Sequence, residues 1–131
     1  MKTKLPLILV LVFLPVLSFG QCPPDGLFES QAEIGAFAIN YPDCTQLDEL
    51  IIDGDDIVDL SGLNQILGVG NFVRIINNPQ LQNLNGLNSS LEINYDFDWS
   101  GVSLIIENNA ALTNISALSI DNTSGLRAIL Q

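Results

Sequence analysis

A phrase that recurs three times constrains this chain more than any single residue in it. Ile52-Asp-Gly-Asp-Asp-Ile57-Val-Asp-Leu60-Ser-Gly62-Leu63 returns as Ile75-Ile-Asn77-Asn78-Pro79-Gln-Leu81-Gln-Asn83-Leu84-Asn-Gly86-Leu87. It returns again as Ile106-Glu-Asn108-Asn109-Ala-Ala-Leu112-Thr-Asn114-Ile115-Ser-Ala117-Leu118. The spacing is 24 residues from Leu60 to Leu84 and 31 from Leu84 to Ile115, so the second interval carries seven extra residues. Each copy has a short apolar run and a Leu-x-x-Leu corner that cannot bury themselves alone, which predicts coils of chain stacked on one another. The expected fold is therefore mainly β: a solenoid of about three to four coils with parallel strands.

Within each copy the residue types fix the local path. Leu50 and Ile52, Val73 and Ile75, and Leu104 and Ile106 stand two apart at matching places, so each pair points to one side of a strand, inward. A turn is expected at Asp53-Gly54, Asn77-Asn78 and Asn108-Asn109, because short amide and carboxylate side chains bond local backbone and tolerate unusual angles. Asn stacked on Asn in adjacent coils would satisfy backbone groups at the bend. Leu81-Gln-Asn-Leu84 and its counterparts then send two apolar residues inward before Gly62, Gly86 or Ala117 permits another bend.

Ahead of the repeats, Ser30-Gln-Ala-Glu33 reads as a capping box, with Ile34, Phe37, Ala38 and Tyr41 following at helical spacing and Pro42 ending the helix. Cys22 and Cys44 flank it. They are the only cysteines, and a disulfide between them would close a loop that stabilises by about 3 kcal/mol in the chain-entropy model. Residues 21–46 are thus expected to form a disulfide-bounded helical cap over the first coil, and residues 47–131 the repeat region.

Residues 1–20 read as an export signal: Lys2 and Lys4, an apolar run from Leu5 to Leu17, then Ser18-Phe19-Gly20. That run is shorter than the roughly 20 residues a membrane helix needs, and no later segment is apolar enough to span a bilayer. Acylation of Cys22 is the competing reading, which Gln21 before it disfavours. Export places the chain outside the cytoplasm or at the cell surface, where disulfides persist. Beyond Gly20 only Arg74 and Arg127 oppose fifteen acids, formally 2 − 15 = −13. Nucleic acid and anionic membrane surfaces are poor partners for such a chain, whereas a cationic ligand or divalent ion would be attracted.

An insertion at 88–101 is the least repeat-like part. Leu91-Glu-Ile93-Asn-Tyr95-Asp-Phe97-Asp-Trp99 alternates apolar and polar residues as a half-buried strand does. Turned inward, its aromatics widen the core. Turned outward, Tyr95, Asp96, Phe97, Asp98 and Trp99 form a carbohydrate or peptide contact patch, rings giving stacking area and carboxylates giving acceptors.

Three functional classes compete. A non-catalytic recognition or adhesion module for a glycan or protein agrees with repeats, export and an acidic surface. A polysaccharide-active parallel β-helix enzyme would need two carboxylates straddling a bond, but Asp96 and Asp98 stand two apart on one strand. A calcium-stabilised module would use Asp53, Asp55 and Asp56, with Asp59, although their spacing matches no EF-hand and the other two copies replace these acids. No His is present and two thiols alone make no zinc centre, so neither a catalytic residue nor a cofactor is assigned. Asn88, Asn114 and Asn122 begin Asn-x-Ser/Thr triplets, which would matter only in a eukaryotic secretory pathway.

Taken together, Cys22-Pro-Pro, Ser30-Gln-Ala-Glu33-Ile34, Tyr41-Pro-Asp-Cys44-Thr, Ile51-Ile-Asp-Gly-Asp-Asp-Ile57, Leu60-Ser-Gly-Leu63, Ile76-Asn-Asn-Pro-Gln-Leu81 and Ile106-Glu-Asn-Asn-Ala-Ala-Leu112 resemble the secreted leucine-rich, receptor L-domain-like proteins of Bacteroidetes. The resemblance covers about Cys22 to Leu118. It implies a right-handed solenoid, export, and in many members further repeats followed by a C-terminal sorting domain for surface display. This chain departs by its insertion and by lacking that tail. After Leu118 the repeat signal fades, and either the segment to Gln131 folds over the last coil as a lid or the chain is a fragment.

Overall fold

The computed structural model describes residues 22–93, 103–118 and 128–131, the side chains of 128–130 excepted. The leader and most of the insertion, including Tyr95 to Trp99, lie outside the described residues. Six strands, β1 (Leu27–Phe28), β2 (Gln46–Ile52), β3 (Gly68–Ile76), β4 (Glu92–Ile93), β5 (Leu104–Glu107) and β6 (Ala128–Leu130), form one sheet. Its order is β1-β2-β3-β5-β6, with β4 beside the start of β3, and every pairing is parallel. Parallel neighbours require the chain to cross over between strands, which the repeated corners do here without a helix.

The register places the recurring phrases side by side. Leu50 pairs with Val73 and Ile52 with Ile75; Val73 then pairs with Leu104 and Ile75 with Ile106. The paired positions expected to point inward are buried in all three strands. Where β4 meets β3, the partner of Gly68 is Glu92, 24 residues on; where β5 meets β3, the partner of Val73 is Leu104, 31 on. The extra residues therefore fall between Ile93 and Leu104 and divide what would otherwise be one strand.

Corner leucines complete the core. Ile57, Leu60, Leu81 and Leu84 are fully buried, each pair lying under the next copy of itself. Leu112 and Ile115 are only half-buried, and with Ile106, Asn109, Thr113 and Gln131 they line an open groove of about 390 Å³. Fully burying a Leu or Ile side chain stabilises by roughly 1.5–3 kcal/mol, so the third copy gains least from its corner.

One α-helix, α1 (Gln31–Asn40), stands at the other end. Its N-cap is Ser30, whose Oγ accepts from the Glu33 amide at 3.3 Å. The Glu33 carboxylate reaches back one residue further than expected, accepting from the Glu29 N–H at 2.7 Å. Ile34 and Phe37 are buried, with Phe28 packed edge-on to Phe37. Ala38, expected to point inward, is exposed. The helix touches only β1 and the 3-10 turn at Ser61–Leu63, so it rests on a narrow line two residues wide.

Two further devices fix α1 to the repeats. Gln31 acts as a staple: its amide oxygen accepts from the Val58 and Asp59 N–H groups, its NH₂ donates to the Asp59 carbonyl, and its own N–H donates to Asp56. Gly62 allows the close approach, because a Cβ there would collide with the Ile34 carbonyl oxygen. Cys22 and Cys44 form the expected disulfide, closing the segment that carries the helix.

Candidate interaction surface

The turn after each strand is built from two asparagines with opposite assignments. Asn77 and Asn108 take the left-handed conformation, each with φ of 56°, which Asn tolerates better than most residues. Their side chains run along the outside: Asn108 donates to Asn77, and Asn77 to the carboxylate of Asp53, both at 3.2 Å. Asn78 and Asn109 turn inward and are buried. Asn78 Oδ1 accepts from the Gly54 N–H at 2.9 Å, and its NH₂ donates to the carbonyls of Ile52 and Ile76 and to Asn109 Oδ1. One copy later the pattern repeats, since Asn109 Oδ1 accepts from the Asn78 N–H and its NH₂ donates to the Ile75 carbonyl. This buried ladder satisfies the backbone groups that each bend strips from the sheet.

Because the turns hold the strands in register, the outward positions also align. Leu27 pairs with Ile51, Ile51 with Arg74, and Arg74 with Ile105, making one row across β1, β2, β3 and β5. Leu27, Ile51 and Ile105 are half-buried and Arg74 is exposed. Beside Arg74 on the same strand, Phe72 lies under its guanidinium, 4.5 Å from ring centroid to Cζ. Neither α1 nor the 3-10 turn packs against β2, β3 or β5. Asp48, Glu49, Asp53 and Glu107 lie along the same strands and turns. A polar groove of about 510 Å³, lined among others by Asp25, Gln46, Asp48, Glu49 and Asn71, continues the surface past the disulfide.

The acidic turn of the first copy does not gather its carboxylates. Asp53 accepts from Asn77, Asp56 from the Gln31 N–H, and Asp59 from the N–H and hydroxyl of Ser61, while Asp55 lends its carbonyl to Gln80. Among the described residues no three acidic or cysteine side chains come together as a metal site. The hydroxyl and then the N–H of Ser61 hold the Asp59 carboxyl below its ordinary pKa, against a small opposing effect of burial. The candidate patch Tyr95, Asp96, Phe97, Asp98 and Trp99 falls outside the described residues.

Strand parity would have located the outward row from sequence, since Phe72 and Arg74 alternate with the inward Val73 and Ile75. The Gln31 staple leaves no comparable signal, because it depends on where the helix lies over the first corner.

Fold and surface together define a disulfide-bonded protein built on a sheet of parallel strands with one helix among its described residues. Among those residues no helix is long and apolar enough to cross a membrane. No protein-family model matches the chain, and no curated protein or solved structure matches it.

Proposed function

We propose that this chain is an exported, non-catalytic recognition or adhesion module that holds a glycan or protein against the outward face of its sheet. On this reading the parallel strands are the rungs of a right-handed solenoid of three to four coils, akin to the secreted receptor L-domain-like proteins of Bacteroidetes. The α1 segment and its disulfide form the cap. The observation that carries the proposal is the row from Leu27 to Ile105, which crosses four strands with no helix against β2, β3 or β5. A rigid sheet presenting aliphatic, aromatic and guanidinium groups in fixed register suits binding more than chemistry, because reaction requires convergent groups and a water-excluding pocket.

The test is a panel of immobilised glycans and displayed peptides probed with the wild-type chain and with an Ile51→Ser/Ile105→Ser double variant. Circular dichroism confirms that the variant folds. Ligands retained by the wild type and lost by the variant support the reading. If every retained ligand binds both proteins equally, recognition through the sheet is wrong.

A further inference from the structure

We propose that the outward row of the sheet docks an extended protein segment whose apolar side chains are flanked by lysine or arginine. This inference rests on the recognition role proposed above and names its ligand class. The row crosses four strands, three gaps of about 4.8 Å, and so spans about 14 Å, the reach of four or five extended residues. Its centre is Arg74 over Phe72, with Ile51 and Ile105 on either side. Arginine and aromatic groups among aliphatic side chains make up the energetic centre of protein interfaces. Because the guanidinium already covers one face of the Phe72 ring, that face is not free to stack on a sugar, which favours a protein ligand over a glycan.

Charge then selects the kind of segment. The described residues hold one cation, Arg74, against twelve carboxylates, and Asp48, Glu49, Asp53 and Glu107 flank the row. A segment with basic residues around its apolar centre is drawn to this face, and an acidic one is repelled. At the middle, the guanidinium offers up to five N–H donors to a backbone carbonyl of the docked segment.

Fluorescence anisotropy of three labelled, end-capped heptapeptides tests this on the full chain: alternating leucine and lysine, leucine and serine, and leucine and glutamate. The lysine peptide is expected to bind tightest. Ile51→Ser/Ile105→Ser should weaken it at least about tenfold, given the apolar area those side chains bury. The surface variant Asp48→Asn/Glu49→Gln, which leaves the core untouched, should weaken it about two- to tenfold. Salt at about 1 M, where the screening length is about 3 Å, should do the same. If the lysine peptide binds the Ile51→Ser/Ile105→Ser variant as well as the wild type, the attraction is general to an acidic protein and the proposal is overturned. Should the serine or glutamate peptide bind best and be lost in that variant, recognition by the face stands while the basic ligand class falls. If no peptide depends on the face, both fall.

Discussion

Replacing Asn78 by Ala removes a side chain that no solvent reaches and that serves three elements at once. The Gly54 N–H loses its acceptor at 2.9 Å and the Ile52 carbonyl its donor at 3.0 Å, both on the preceding copy. Asn109 Oδ1 keeps a partner, because the Asn78 backbone N–H also donates to it at 3.0 Å. Two buried groups are therefore orphaned, each at about 1–3 kcal/mol, for an expected loss of about 2–6 kcal/mol. A small domain has about 5–15 kcal/mol in total, so the variant should be severely weakened. Urea denaturation followed by far-ultraviolet circular dichroism reads the change: with a slope of about 2 kcal/mol per molar, the midpoint should fall by about 1–3 M. Asn85→Ala, at an exposed position of the same copy, should stay within about 0.5 kcal/mol of wild type. Asn78→Asp sharpens the test. Its carboxylate still accepts from Gly54 but faces the Ile52 carbonyl and Asn109 Oδ1 with no proton to donate, so burial and these acceptors raise its folded pKa above the unfolded value. The deficit of Asn78→Asp should consequently shrink as pH falls, because the protonated form is the one the fold favours. A loss below about 1 kcal/mol in Asn78→Ala would refute the ladder as a source of stability.

Two further expectations concern the cap and the first corner. Gly35→Ala, in the interior of α1 with open space around its missing Cβ, should stabilise by about 0.5–1 kcal/mol, whereas Gly62→Ala should destabilise by more than that as its Cβ meets the Ile34 carbonyl; thermal melts of the two variants rank them. Ser61→Ala should raise the Asp59 pKa toward its ordinary value, as followed by carboxyl chemical shifts. Since the folded pKa is depressed, the Asp59–Ser61 contribution is present above the unfolded pKa and disappears as pH falls through the folded one, so wild type and variant should converge in stability at acid pH.

The parallel sheet was legible because strand parity is a period-two signal that three copies of a phrase repeat. Leu50, Val73 and Leu104 had to share a face, and the register pairs them in that order. The two asparagines of each turn were not separable by type. In sequence Asn77 and Asn78 are equivalent amides, yet only the first takes φ of 56° and only the second is buried, a distinction made by the direction of the bend. Ala38 misled for a related reason: its spacing fits an apolar stripe, but a helix resting only on β1 and one 3-10 turn needs no more than Ile34 and Phe37, and neighbouring Ile39 is left 81% exposed.

The outward row shows the same limit from the other side. Parity says that Phe72 and Arg74 face away from the core, but not that Ile51 and Ile105 stand beside them, because that adjacency depends on offsets of 23 and 31 residues in the finished pairing. The offset across β3 and β5 survives only because the additional residues leave the sheet after Ile93 and return before Leu104. An insertion displaced by one residue into β5 would turn Ile105 inward and Ile106 outward, exchanging core for surface along the whole strand. The same buried asparagine ladder that spans these turns, from Gly54 through Asn78 to Asn109, therefore also aligns the surface. Any loss of register it prevents would disperse the Ile51, Arg74 and Ile105 row before it exposed the core.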